Sequence, residues 1–192
     1  SYLIVCWDNM FVALEGIDGC GKTTLAKGLE KNDFFVTQEP YLTLTKDIVG
    51  RTKNDEAREL AFYIDRLYHI DRVITPNLKR GVITDRYKYS QIAYAYARYS
   101  GGEIYKNVVS LNQNLLEPDM VLFLDIKPEE SLLRKPGIIN DASPYLKISS
   151  NYTDFFNRIK EKYMDLQSEN WKVIDANNSK EKILEEALKL LS

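Results

Sequence analysis

The stretch from Leu14 to Leu25, LEGIDGCGKTTL, limits what this chain can fold into more than any other. Its frame, Gly16-x-x-x-x-Gly21-Lys22-Thr23, is that of a Walker A loop. Glycines let the backbone turn tightly, so that successive N–H groups converge on an anion. The loop residues Gly16, Ile17, Asp18, Gly19, Cys20, Gly21, Lys22, Thr23 and Thr24 are therefore expected to wrap the phosphates of a nucleotide. Lys22 supplies a cation that reaches the β- and γ-phosphates, and Thr23 offers a hydroxyl to Mg²⁺. The flanks agree. MFVAL (Met10 to Leu14) reads as a buried strand, and KTTLAKGLE reads as a helix whose N-terminus favours an anion.

The rest of the chain repeats that alternation. Short apolar runs predict strands at 10–15, 34–37, 81–85, 120–125 and 171–175. Helical patterns fill 22–31, about 55–79, 88–99, 102–116, 128–134, 152–168 and 179–191. The expected fold class is α/β, an open five-stranded parallel sheet flanked by helices, with ligands beyond the carboxyl ends of the strands. A length of 192 residues suits one domain. Residues 1–9 (SYLIVCWDN) precede it as an extension or an extra edge strand; they lack the basic flank of a signal peptide. KPGIINDASPYLK (Lys135 to Lys147) is an irregular connection of a length that is usually mobile or functional.

Charge narrows the partners. With 26 basic and 28 acidic side chains the net charge is −2, so nucleic acid is not an expected bulk partner and phosphate affinity must be local. No apolar run approaches the roughly 18 residues of a membrane span. Cys6 and Cys20 make no disulfide framework, which suits a reducing, cytoplasmic setting.

Two further faces carry chemistry. On the helix at 55–75, Ala57, Leu60, Ala61, Ile64, Leu67 and Tyr68 form an apolar stripe that is expected to face the core. Phe62, Arg66 and His69 share another face, at i, i+4 and i+7. That face is either solvated or an aromatic platform beside a guanidinium, suited to stack on a base and bond its edge. His69 is the chain's one histidine, and no ligand or base role is expected of it. After the third strand comes DRYKYSQIAYAYAR. There Asp85 can hold Mg²⁺ or its waters and Arg86 can grip a phosphate, unless the two form only a local ion pair. Ser90 or Gln91, then Tyr94 and Arg98, recur on one helical face. Asp125 follows an apolar run as a Walker B acid does, but a turn or capping role is expected for it.

Taken together, FVALEGIDGCGKTTLA, AFYIDR, DRYKYSQIAYAYAR, LLEPDMVLFLDIKPEESL, NYTDFFNRIKEKYMDL and WKVIDA resemble the thymidylate kinase family of P-loop nucleoside monophosphate kinases. The likeness runs from about Met10 to the C-terminus, and EGIDGxGKTT followed by DRYxxSxxAY is specific to that family. It implies a P-loop kinase fold with a short lid at about 134–150, ATP as donor, Mg²⁺ as cofactor, and dTMP converted to dTDP. It further implies that Asp18 lies near the acceptor sugar and the metal, and that Phe62 stacks on thymine. Arg66 would bond the carbonyl edge of the base, and Arg86 would hold the acceptor phosphate. Ser90 and Gln91 would face the base, while Tyr94 would crowd the 2′ position. Many members carry a basic residue where this chain has Gly19; such a gap is filled from the lid, here by Arg134, Lys135 or Lys147, of which Lys147 aligns best. A homodimer formed through helices is also implied.

The chain departs from the family in two places. REPGG after the second strand is here QEPYLT, with Gln38 for the arginine, and a frequent glutamine is Ala95. These leave open a kinase acting on another nucleoside monophosphate. A nucleotide-binding regulator of the GTPase type would need Asn-Lys-x-Asp after a strand; RTKNDE has similar letters in the wrong order, just before a helix.

Overall fold

Five short apolar runs become five parallel strands, β1 (Phe11–Glu15), β2 (Phe35–Gln38), β3 (Val82–Asp85), β4 (Met120–Asp125) and β5 (Trp171–Asp175). The structure, a computed structural model, describes residues 9–135 and 152–192. Expectations placed on residues 1–8, on Lys147 and on most of the lid segment lie outside the described residues. The strand order is β2-β3-β1-β4-β5. β1 is buried at every position, which is why FVALE has no polar–apolar alternation. In register, Leu14 of β1 and Gln38 of β2 both stand beside Asp85 of β3. The carboxyl ends of three strands thus open into one crevice.

Helices cover both faces: α1 (Lys22–Glu30), α2 (Thr43–Arg51), α3 (Asp55–His69), the short α4 (Thr75–Asn77), α5 (Lys88–Tyr99), α6 (Glu103–Asn112), α7 (Pro128–Arg134), α8 (Tyr152–Leu166) and α9 (Lys180–Leu191). α8 lies along α5 and brings Phe155, Phe156 and Tyr163 into the core beside Phe123. Burying each such ring contributes about 1.5–3 kcal/mol. The expected long helix at 55–79 is α3 continued by a π-helical turn (Ile70–Ile74), α4 and a 3-10 turn (Leu78–Arg80).

Two expectations are corrected. α2 was not expected; it buries only Thr45, so no apolar periodicity announces it. On α3 the apolar stripe does not face the core. Leu60, Ile64, Leu67 and Tyr68 are between 43% and 61% exposed, whereas Arg58, Glu59, Asp65, Arg66 and His69 are buried with Ala61. The inward face of α3 meets other charged groups, in the pairs Arg98–Glu59 and Arg66–Glu39, and those pairs make the burial of charge tolerable.

Candidate active site

The loop after β1 has the backbone its glycines allow. Gly16, Gly19 and Gly21 have φ of 146°, 77° and 105°, a region that side chains rarely tolerate. Gly16 is also a close approach: a Cβ there would stand 2.7 Å from the Leu124 carbonyl oxygen and 2.8 Å from Cys20 Sγ. Lys22 folds back over the loop, its Nζ donating to the Gly16 and Ile17 carbonyls at 2.9 Å each. Thr23 Oγ1 donates to Asp85 Oδ2 at 2.6 Å, so the start of α1 and the end of β3 place two hard oxygens side by side. Such a donor pair fits Mg²⁺, which takes few protein oxygens and keeps several waters.

Beyond Asp85 the chain turns sharply. Arg86 has φ 73°, a left-handed backbone that costs roughly 1–3 kcal/mol for a residue other than glycine. Its surroundings hold it there. Its N–H donates to the Leu14 carbonyl at 3.0 Å, Nη2 donates to Asp18 Oδ1 at 2.6 Å, and Nη1 donates to Ser90 Oγ at 3.0 Å. The Tyr94 hydroxyl donates to Asp18 Oδ2 at 2.9 Å and accepts from the Asp18 N–H at 3.1 Å. Burial alone would raise the Asp18 carboxyl, but Arg86, Lys22 and the Tyr94 hydroxyl outweigh it and hold it down at about 2. Asp85 and Arg86 therefore do not close on each other as a local pair: one faces Thr23 and the other Asp18.

Glu15, which sequence reasoning left unassigned, ties these parts together. Fully buried at the end of β1, its Oε1 accepts the N–H groups of Tyr87 and Ser90 at 3.0 and 3.2 Å. Its Oε2 lies 2.5 Å from Ser90 Oγ and 3.0 Å from the Tyr163 hydroxyl. α5 has no side-chain cap of its own at Tyr87, and Glu15 supplies one from the next strand. Burial pushes its carboxyl up to about 7 despite those donors. The visible signal was an acid directly before the glycine loop, at the end of an apolar run.

Two cavities open from this centre. One, of about 730 Å³, surrounds the loop and is lined by Lys22, Thr23 and Asp85, with Lys46, Arg134 and Lys135 at its rim. The other, of about 650 Å³, lies between α3 and α5 and is lined by Phe62, Arg66, Ser90, Gln91 and Tyr94. They meet at Asp18, Glu39 and Arg86, which line both. The structure thus brings Phe62 and Arg66 to one cavity with Arg86, so the non-stripe face of α3 is not a solvated one. Asp125 lines neither cavity; it pairs with Lys160 of α8 at 2.6 Å.

QEPY after β2 is held without the glycines expected there. Asp65 accepts the N–H groups of Tyr41 and Leu42 at 2.8 and 2.7 Å, and the Tyr41 ring stacks on His69 with centroids 5.0 Å apart. His69 lies 2.8 Å from Thr37 Oγ1 and 3.2 Å from Glu39 Oε1, so it braces the loop. Ser131 of α7 donates to the Asp18 carbonyl at 2.5 Å and joins the approach to the lid segment to the glycine loop. Among the described residues no helix is long and apolar enough to cross a membrane.

Comparison with known proteins agrees with this geometry. A family model described as Thymidylate kinase matches residues 14–187. A protein named "Probable thymidylate kinase" from Staphylothermus marinus is 35% identical over 96% of this chain and 95% of its own length. One of the same name from Methanocaldococcus jannaschii is 37% identical over 88% of this chain and 87% of its own. A "Thymidylate kinase" from Prochlorococcus marinus is 33% identical over 88% and 89%.

Proposed function

The chain belongs to the thymidylate kinase family, and on that premise we propose that it transfers the γ-phosphoryl group of ATP to dTMP, yielding ADP and dTDP. The observation that carries this reading is the meeting of the two cavities at Asp18 and Arg86. A nucleotide on the glycine loop and a monophosphate in the α3–α5 cavity would there face each other through their phosphates.

Phosphoryl transfer asks the protein for position and charge more than for covalent chemistry. Lys22 and the loop amides hold the donor phosphates, and Arg86 leaves Asp18 in part to grip the acceptor phosphate. Thr23 and Asp85 would hold Mg²⁺, which would supply further positive charge to offset that of the donor phosphates. Asp18, kept ionised by Arg86 and Tyr94, stands beside the acceptor sugar. Phe62 offers its ring to the thymine face, and Arg66 offers a donor to its carbonyl edge. Gly19 brings no charge to the transferring group, so a cation from the lid segment does; Arg134, Lys135 and Lys147 are the candidates.

We assign the enzyme to the cytoplasm, whose reducing conditions suit the free, buried Cys20. We also propose that it is a homodimer joined through α3. Leu60, Ile64, Leu67 and Tyr68, with Tyr41 and Leu44 beside them, present a group of large apolar side chains to solvent that a second copy would cover.

A coupled assay with ATP, Mg²⁺ and a panel of nucleoside monophosphates tests the activity. dTMP is expected among the best acceptors. A clear preference for another monophosphate would overturn the reading.

A further inference from the structure

The residues that line both cavities come from one half of the sheet. Asp18 follows β1, Glu39 follows β2 and Arg86 follows β3. With the strand order β2-β3-β1-β4-β5, the cavity around the glycine loop therefore meets the acceptor cavity on its β2 side. Arg134, Lys135 and Lys180 line the loop cavity from the opposite side, after β4 and β5. From the β2 side it takes Gln38, Glu39 and Lys46, the last in the first turn of α2.

The place of Lys46 beside the cavity is fixed by its neighbours. Asp65 of α3 accepts the N–H groups of Tyr41 and Leu42 just before α2, and Thr45 is only 3% exposed. Lys46 itself is exposed, and among the described residues no hydrogen bond or ion pair engages its ammonium. The acids around it have other partners: Asp47 pairs with Arg51 at 2.6 Å, Glu39 bonds Arg66 and His69, and Asp85 accepts from Thr23. Lys22 is turned onto the loop carbonyls, and Arg86 is held by Asp18 and Ser90. Lys46 is thus an uncommitted charge on a flexible stem, at the end of the loop cavity that is nearest the acceptor.

We propose that Lys46 binds the γ-phosphate of the donor, from the wall opposite Arg134 and Lys135. Its role rests on the phosphoryl-transfer reading above, in which the γ-phosphate is the group at the junction of the cavities. The β-phosphate lies deeper, against Lys22 and the loop amides, so a contact at Lys46 separates a triphosphate from a diphosphate. An ammonium has three donors that can rotate to follow the oxygens of a moving group. A lid cation would meet the same phosphoryl group from the other side, and its charge is spread over enough oxygens for both. Solvent at this exposed site limits the gain to a modest factor.

The test is calorimetric titration of the full chain, at saturating dTMP and Mg²⁺, with the non-hydrolysable triphosphate AMPPNP and separately with ADP. Neither transfers a phosphoryl group to dTMP. Lys46→Met keeps the stem and removes the charge, and an exposed position should leave circular dichroism native. Kd for AMPPNP should rise about tenfold, while Kd for ADP stays within about twofold. Lys46→Arg should keep both affinities near wild type. In steady state, Lys46→Met should raise KM for ATP and leave KM for dTMP within about twofold. AMPPNP and ADP weakened alike would overturn the proposal, because the loss would then lie at the β-phosphate or in the fold of α2. An unchanged AMPPNP affinity would overturn it too, by making Lys46 a solvated charge only; both results leave dTMP kinase activity standing. A wild type that turns over no dTMP would overturn the functional reading and this inference with it.

Discussion

Replacing Glu15 by Gln should change how stability depends on pH, in a direction set by burial. Glu15 is fully buried, and its carboxyl is raised from 4.5 to about 7, with desolvation as the largest cause. Its contacts accommodate a proton: Oε1 receives the two backbone N–H groups, while Oε2 faces two hydroxyls that can turn to accept. A group that binds its proton more tightly in the folded chain adds stability below its unfolded value, and loses it as pH rises through the folded value. A difference of this size is worth about 3 kcal/mol, lost between pH 4.5 and 7. Gln mimics the protonated form, keeping the Oε1 acceptor and donating from Nε2 to Ser90 and Tyr163. Urea unfolding of both proteins from pH 4.5 to 8 measures the effect. All other titrating groups are common to the pair, including Asp18 with its depressed carboxyl, so the difference between the two curves isolates Glu15. The variant should match or trail wild type at pH 4.5 and gain on it by about 3 kcal/mol by pH 7.5. Parallel curves would refute the reasoning, because Glu15 would then be ionised throughout and held by its donors alone.

Lys22→Ala should lower kcat by about two to three orders of magnitude or more while circular dichroism stays native, since it removes a cation that matters most in the transition state. A folded, active variant would remove the phosphate-loop assignment. Tyr94→Phe should lower kcat about tenfold, because Asp18 loses the hydroxyl that donates to it, yet should keep discrimination against a ribose 2′-hydroxyl. Tyr94→Ala should lose that discrimination as well; an unchanged deoxy-to-ribo ratio would end the steric role. Ile64→Asp, at a position 61% exposed, should change the chain's own stability by no more than about 0.5 kcal/mol but convert a sedimenting dimer to monomer. A wild type that already sediments as monomer would refute the dimer.

The central strands were legible because both faces of the sheet are covered there. FVALE and MVLFLD are apolar up to a final acid, the pattern of a strand covered on both faces. The glycine loop was legible for a different reason: positive φ at Gly16, Gly19 and Gly21 leaves few alternatives to glycine, so function is written in residue type. α2 had no such signal, since TLTKDIVGR buries a single threonine. Among the proposed site residues, the phosphate loop, Asp85, Arg86 and the face of Phe62 and Arg66 were readable from type and spacing, and the roles of Asp18, Ser90, Gln91 and Tyr94 only from the family resemblance. Their supports were readable from neither, because Glu15, Glu39, Asp65 and Asn112 matter through partners 20 or more positions away, which no local pattern encodes.

α3 shows where the reading of periodicity fails and why. An apolar stripe at helical spacing correctly announces a helix, but its direction is an assumption: apolar residues turn inward only if the protein's own core is the largest apolar surface on offer. Here the interior side of the helix borders the cavity between α3 and α5 at Arg58, Phe62 and Arg66, and elsewhere meets the polar groups of the loop after β2 and of α5. Glu59, Asp65, Arg66 and His69 accordingly face inward, each bonded, because one unpaired charge at that depth would cost several kcal/mol. The apolar face is then displaced to the outside, where a single chain leaves Leu60, Ile64, Leu67 and Tyr68 exposed. If α3 both reads the base and is covered by a second copy, as proposed, Ile64→Asp should also raise KM for dTMP, because the partner's contact would help to hold α3 against its buried charges. An enzyme made monomeric by Ile64→Asp with wild-type KM would show that Arg66, through its bonds to Glu39, Gln91 and Asn112, holds α3 in place without help.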